Sequence, residues 1–200
     1  MYGYSDIEIM DAFKALLREN DGESRISIQQ ICRRANVNRQ SFYYHFTDIA
    51  DLVSETIRHD LDEAEKVSGP CRLPSKGCAM VMNYVRDNRE MILRIRQSKY
   101  SGAMFTAFSE RQARLIANII RLIAEERQIT LTESEFNLLC SMNNYTMMGF
   151  LQTYIDRNMR EDPALLTSIF SKLLRASIVT MIDEILEERK DPALRKWSTE

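Results

Sequence analysis

The sequence predicts an all-α protein, and three observations support this class. Helix-forming residues are abundant, whereas the 200 residues include only six glycines and four prolines. Apolar residues recur at three- and four-residue intervals over long segments. Helix-start motifs precede several of these segments. We therefore expect a small N-terminal unit of three helices, followed by a larger C-terminal helical bundle.

The first helix is expected over residues 6–19. Ser5 and Glu8 stand three positions apart, the spacing of a capping box in which each side chain bonds the other residue's backbone N–H. Ile9 and Phe13 then follow at helical spacing. This helix would supply the base on which the next two short helices pack.

Two short helices follow, joined by a tight turn. Ser27 and Gln30 form a second capping-box motif, which starts a helix that ends near residue 35. Asn36 is a residue that tolerates a left-handed backbone, as the turn requires. Asn38 then caps a third helix over residues 39–45. Two short helices joined by such a turn, with another helix before them, form a helix-turn-helix.

The remaining segments predict longer helices. A fourth helix, capped by Asp48, extends to about Lys66 and links the two units. The segment 68–77 holds two prolines and two glycines and is expected to be a loop. Further helices are expected at about 78–87, 88–98, 103–127, 133–158 and 163–189. The expected divisions are an N-terminal unit 1–47, a linking helix 48–67, a C-terminal unit 68–190 and a polar tail 191–200.

Charge is distributed unevenly along the chain. The net charge is −2, yet the window 25–47 holds four arginines and no aspartate or glutamate. Such a local excess of positive charge is typical of an anion-binding surface.

Sequence motifs of enzymes and metal sites do not occur. There is no GxSxG, no phosphate-binding glycine loop and no HExxH. The four cysteines lie far apart without zinc spacing, and we expect them to be reduced thiols in the cytoplasm. The uncharged segment 136–155 contains several Asn, Gln and Thr residues, so we expect a buried helix and not a membrane span. We predict no catalytic activity, no metal site, no cofactor and no membrane partner.

The helix-turn-helix carries side chains suited to duplex DNA. Its second helix would enter the major groove, where Arg39 can grip guanine and Gln40 can grip adenine. Phe42 and Phe46 are four residues apart and can pack inward, although aromatic residues at this spacing are often only core residues. The expected DNA contacts are Arg25, Ser27, Gln29, Asn38, Arg39, Gln40, Ser41, Tyr43, Tyr44 and His45.

The segment 26–53 resembles the DNA-binding signature of the TetR family of bacterial transcriptional regulators. The matching features are Ile28 and Ile31, Ala35-Asn36-Val37, Asn38, Ser41, Tyr43-x-x-Phe46 and Asp51-Leu52. Asn36 replaces the family's usual turn glycine, and Thr47 and Ile49 stand where lysines often occur. The run from Val37 to Phe46 is similar to regulators of dihydroxyacetone-kinase operons, some of which activate transcription.

The resemblance implies a cytoplasmic homodimer that regulates transcription by binding a two-fold-symmetric DNA operator. Repression is the expected sign, and activation remains open. The dimer would form through the helices at about 133–158 and 163–189. Adjacent apolar pairs along 163–189 give that helix a broad apolar stripe, which supports pairing independently of the family. The alternative is a helical interaction module of the same fold that acts through protein partners without binding DNA.

The resemblance also implies that the C-terminal helices bind an effector, either a small molecule or a protein. Its expected contacts are Met82, Met104, Phe108, Asn143, Asn144, Tyr145, Met148 and Gln152. Methionine and aromatic residues suit an adaptable apolar pocket but are more often ordinary core residues. The three amides could bind a polar ligand group, bond across the dimer interface or face water.

Overall fold

The structure, a computed structural model, describes residues 4–19, 26–68 and 74–190, and all regular structure in these ranges is α-helical. The predicted all-α class is therefore confirmed. The helices are α1 (Tyr4–Glu19), α2 (Ile28–Arg34), α3 (Arg39–His45), α4 (Ile49–Ser68), α5 (Pro74–Asp87), α6 (Arg89–Gln97), α7 (Ser101–Glu126), α8 (Glu133–Asp156) and α9 (Pro163–Lys190).

Two predicted helix starts are wrong. Helix α1 begins at Tyr4, so Ser5 lies inside the helix and does not cap it. Helix α5 begins at Pro74, and the second half of the predicted loop is its first turn. A proline is well accommodated at the start of a helix, where no N–H is needed. A glycine at position 77 leaves room for the Leu115 side chain of α7, which a Cβ there would overlap.

The predicted turn of the helix-turn-helix forms as expected. The Ser27 side chain accepts from Gln30 N–H, and the Gln30 side chain accepts from Ser27 N–H, which completes the capping box. Asn36 has a φ of 54°, in the left-handed region. Asn38 Oδ1 accepts from Ser41 N–H at 2.8 Å and starts α3. Local residues thus fix where α2 begins, where it ends and where α3 begins.

The N-terminal and C-terminal helices pack against each other as well as among themselves. Helix α1 packs on α2 and α3 and also on α6, which belongs to the C-terminal part. Helix α7 packs on α4 and α8, whereas α5 packs on α9. Phe42 and Phe46 of the α3 segment are fully buried, as predicted. Helix α3 is therefore anchored by its apolar side, and its polar side is exposed.

Asp60 of α4 joins the N-terminal and C-terminal helices. Its carboxylate accepts from Lys14 Nζ of α1 at 3.1 Å and from the Tyr84 hydroxyl of α5 at 3.2 Å. Burial alone would lower the pKa of Lys14, but the attraction of Asp60 and hydrogen bonds to Asp11 and Asp60 outweigh burial and raise it. Burial, reinforced by the Asp60 charge, raises the pKa of Tyr84 well above its usual value. Both donors therefore hold their protons at neutral pH.

Helices α8 and α9 expose a row of large apolar side chains that we call the α8–α9 face. Its members are Leu138, Met142, Tyr145 and Phe150 on α8, and Leu165, Ile169 and Leu173 on α9. Within the described part of the chain, α9 is the one helix that is long and apolar enough to cross a membrane. Only 22% of its most apolar 18-residue segment is buried. The segment 136–155, which raised this question from the sequence, does not meet the same criterion.

Candidate nucleic-acid interface and interior cavities

Helix α3 presents Arg39 and Gln40 at its exposed start. Gln29 on α2 accepts a hydrogen bond from the Arg39 guanidinium through its Oε1 at 3.4 Å. The contact holds Arg39 beside the first turn of α2, where Gln29 lies. Both side chains are exposed. The placement matches the geometry in which the start of a recognition helix reaches base edges.

The aromatic residues of α3 divide into an inner and an outer set. Phe42 is fully buried, whereas Tyr43 is 57% exposed and Tyr44 is 84% exposed. The Tyr43 ring meets the Phe42 ring edge-on, with centroids 5.5 Å apart, so the exposed ring rests on the core. A tyrosine held in this way keeps its hydroxyl toward solvent, where it can donate to a phosphate.

Two of the expected DNA contacts already serve as helix caps. Ser27 Oγ is engaged with the Gln30 amide, and Asn38 Oδ1 with Ser41 N–H. The Ser41 side chain is half-buried. These side chains therefore fix the helix-turn-helix geometry first, and their contact with DNA stays a prediction.

His45 lies differently from the two tyrosines. Its Nδ1 contacts the Asp6 carboxylate of α1, and its side chain is only 22% exposed. His45 thus ties α3 to α1, and its expected contact with DNA stays a prediction. The predicted contact at Arg25 falls outside the described residues.

The arginines of the acid-free window are not all equally free to meet an anion. The Arg34 guanidinium is paired with the Glu19 carboxylate of α1, with Nη2 and Oε1 2.8 Å apart. Arg33 and Arg39 are exposed. A sequence window without acidic residues is therefore partly neutralised by an acid from another helix.

Most of the predicted effector contacts do not meet at one cavity. Met82, Met104 and Phe108 are buried, and Met82 lines a cavity of about 20 Å³ next to Met147 and Leu151 of α8. Met148 is half-buried, while Tyr145 is 77% exposed on the α8–α9 face. The pattern of the sequence favoured these residues because apolar spacing alone does not separate a cavity wall from a filled core.

The three amides of α8 have three different environments. Asn143 is buried and donates to the Leu139 carbonyl one turn earlier at 2.8 Å. Asn144 donates to Ser109 Oγ of α7 at 2.8 Å. Gln152 is exposed. The first two thus have partners within the chain, whereas Gln152 is free to face water or another molecule.

A larger cleft of about 800 Å³ lies between α4, α5 and α7, and the sequence did not point to it. We call it the α7 cleft; its lining includes Asp62, Glu65, Val81, Arg111, Gln112, Leu115, Arg121 and Leu122. Gln112 is 5% exposed, and its Oε1 has no hydrogen-bond partner among the described residues. The available signal was a glutamine placed four residues from Phe108 and from Ile116, on an otherwise apolar helix stripe.

Together, a capped helix-turn-helix, an exposed basic and aromatic recognition helix and a helical C-terminal part define a helix-turn-helix transcriptional regulator. The family described as "Bacterial regulatory proteins, tetR family" matches residues 9–56, and the family described as "Transcriptional regulator C-terminal region" matches residues 74–176. The chain belongs to the TetR family of bacterial transcriptional regulators.

Solved structures share this fold. "Dihydroxyacetone kinase operon activator DhaS" is 20% identical, with a TM-score of 0.65 over 88% of this chain and 97% of that one. The "fatty acid degradation regulator FadR from Bacillus halodurans" is 14% identical, with a TM-score of 0.57 over 88% of this chain and 96% of that one. No curated protein matches the sequence of this chain. The family and these structural neighbours are transcriptional regulators and not enzymes.

Proposed function

We propose that this TetR-family protein binds a two-fold-symmetric DNA operator as a homodimer, and that an effector bound by its C-terminal helices changes its DNA affinity. The exposed start of α3, with Arg39 held by Gln29 and with Tyr43 and Tyr44 facing solvent, is the observation that carries the proposal. These side chains combine base-reading and phosphate-binding groups on one short helix.

The α8–α9 face supports the homodimer. Leu165, Ile169 and Leu173 recur every four residues and so line one side of α9. They are 56%, 48% and 41% exposed in the single chain, which is unusual for consecutive large apolar residues on one helix. A second copy, which carries the same row, would bury both faces at once in an isologous interface.

Gly149 gives a second reason for pairing at this face. It stands in the middle of α8, where glycine costs roughly 1 kcal/mol of helix stability compared with alanine. Apart from its chain neighbours and the backbone of its own helix, no described residue lies within 4 Å of a Cβ built at this position, so packing within the described chain does not require glycine there. A helix of the partner that approaches this point closely would require it.

The proposal is tested by selecting bound duplexes from a random DNA pool with the purified protein at moderate salt. We expect enrichment of a two-fold-symmetric site, with half-sites separated by about one DNA turn, roughly 10 bp, or more. Absence of enrichment even at low salt would contradict DNA binding and would favour a module that acts through protein partners.

A matched pair of variants then tests the register of α3. Arg39→Ala should weaken binding to the selected site by roughly 1–3 kcal/mol and relax the preference at one base position of each half-site. Arg33→Ala removes an equally exposed arginine from the end of α2 and should lower affinity for all sequences alike, with a shallower salt dependence. If Arg39→Ala leaves the base preference unchanged, Arg39 does not read a base.

A further inference from the structure

The α7 cleft combines features that together define a ligand. Its α7 wall follows one stripe of the helix, from Arg111 and Gln112 through Leu115 to Arg121 and Leu122. The nine residues from Gln112 to Arg121 rise by roughly 13 Å along the helix axis. The α7 wall of the cleft is therefore elongated, with the amide of Gln112 at one end and the guanidinium of Arg121 at the other.

Gln112 at one end needs a hydrogen-bond donor. The side chain is buried, and the Oε1 atom accepts no hydrogen bond from the described residues. A buried acceptor left without a partner is costly, so such groups are normally satisfied. Gln112 also lines the small cavity next to Met147 and Phe170, so it stands at the point where the cleft meets the interior.

Arg121 at the other end offers a positive charge. Its guanidinium lies over the Phe136 ring, with its Cζ 4.9 Å from the ring centroid, and donates to Asn118 Oδ1 at 3.3 Å. No carboxylate lies within ion-pairing distance of it among the described residues. Val81 and Leu115 form the apolar wall between the two ends, and Leu122 lies next to Arg121. The charge therefore favours an anionic group at this end of the cleft.

We propose that the α7 cleft is the effector site, and that it takes an extended amphiphilic acid with a carboxylate at the Arg121 end and a hydroxyl donor that reaches Gln112 Oε1. The effect of this ligand on DNA affinity rests on the proposed function, whereas its binding to the cleft does not. The apolar chain between the two polar ends lies along Val81 and Leu115.

The position of the cleft gives the ligand access to α4. Arg111, next to Gln112, donates to Glu65 Oε2 at 2.6 Å and to Asp62 Oδ1 at 3.4 Å, and so ties α7 to α4. A ligand hydroxyl at Gln112 lies beside these ion pairs. Because Asp60 of α4 also bonds α1, and α1 packs on α2 and α3, a shift of α4 caused by the ligand would reach the helix-turn-helix through α1.

Calorimetric titration of the full chain without DNA tests the site with two probes, 10-hydroxydecanoate and decanoate. The two acids have the same chain and differ only in the terminal hydroxyl. We expect 10-hydroxydecanoate to bind about tenfold more tightly, the value of one neutral hydrogen bond to a buried group. Gln112→Leu should abolish this preference, and Gln97→Leu, the same substitution at an exposed position of α6, should leave it unchanged.

Arg121→Ala should weaken both acids alike, because both use the same carboxylate contact. Absence of binding by either acid to the unaltered protein overturns the proposal, as does a preference for the hydroxyl that persists in Gln112→Leu. DNA selection with the same preparation separates this failure from failure of the proposed function. If 10-hydroxydecanoate binds through Gln112 but leaves affinity for the selected DNA site unchanged, the cleft is a ligand site without the regulatory role assigned to it.

Discussion

Ile169→Glu is the most direct test of the proposed homodimer. Ile169 lies in the middle of the exposed row on α9 and is 48% exposed in the single chain. Full burial of an isoleucine stabilises by about 1.5–3 kcal/mol, so burying the exposed half is worth roughly 1 kcal/mol per chain and about 2 kcal/mol per dimer. A glutamate there loses this gain and must also give up its hydration when the faces meet.

The charge penalty makes the expected effect larger than the lost apolar contact. Placing two unpaired carboxylates in one interface costs at least about 2 kcal/mol more, even after partial relaxation. The total of roughly 4 kcal/mol raises the dissociation constant of the dimer by about a thousandfold. Sedimentation equilibrium over a range of protein concentrations should therefore find the variant as a monomer where the unaltered chain is a dimer.

The control is Ile7→Glu, which places the same residue at a 38% exposed isoleucine on α1, away from the α8–α9 face. This variant should remain dimeric. Helical circular dichroism of Ile169→Glu should be retained, because its side chain contributes little to the core of its own chain. A dimer of unchanged affinity in Ile169→Glu would refute pairing through α9.

Three further predictions concern single positions. Gly149→Ala should weaken the dimer although it favours the helix of each chain, whereas Gly102→Ala, at another helical glycine with no neighbour within 4 Å of a built Cβ, should not affect dimerisation; equal dimer affinities would exclude a close helix approach at Gly149. Asn36→Gly should raise stability by about 0.5 kcal/mol in chemical unfolding, because glycine adopts the observed φ of 54° without steric cost; a loss of stability would mean that the Asn36 side chain contributes more than its backbone costs. Asp60→Asn should lower the free energy of unfolding at pH 7 by roughly 1–3 kcal/mol, since Lys14 and the Tyr84 hydroxyl lose a charged acceptor. Because the pKa of Lys14 is raised in the folded chain above 10.5, the Lys14 contribution is fully present below pH 10.5 and is lost as the pH rises through the folded value; thermal unfolding should therefore show an alkaline loss that is smaller in Asp60→Asn.

The sequence predicted local structure well wherever a local motif determines it. Ser27, Asn38 and Asp48 each cap a helix by a bond to a residue three positions away, so sequence spacing is enough to identify them. Phe42 and Phe46 were correctly predicted to be buried because their spacing places both on one side of α3. The expected cap at Ser5 is wrong because α1 begins at Tyr4, two residues earlier than expected, and no local motif indicates that start.

Contacts between segments that are far apart in the sequence could not be predicted from it. The pairing of His45 with Asp6 and of Arg34 with Glu19 joins helices whose relative placement the sequence does not encode in any local spacing. The α7 cleft was missed for a related reason, since a cavity is defined by three helices that fail to fill the space between them. In the sequence, Gln112 is a single polar residue on an apolar stripe of α7. A buried glutamine with a purely structural role would give the same pattern, so the sequence alone does not indicate a ligand site.

The continuity of α4 limits how the DNA-binding unit of one such regulator can be joined to the C-terminal part of another. It runs without interruption over Ile49–Ser68, and its residues bond both α1, through Asp60, and α7, through Ser54 and Ala103 O at 3.1 Å. Adding one residue within α4 would rotate everything after it by about 100° and advance it by about 1.5 Å. A DNA-binding unit transplanted from a relative must therefore be joined in helical phase. A shift of one position would aim the two recognition helices of a dimer at different faces of the duplex, even if each half still folded.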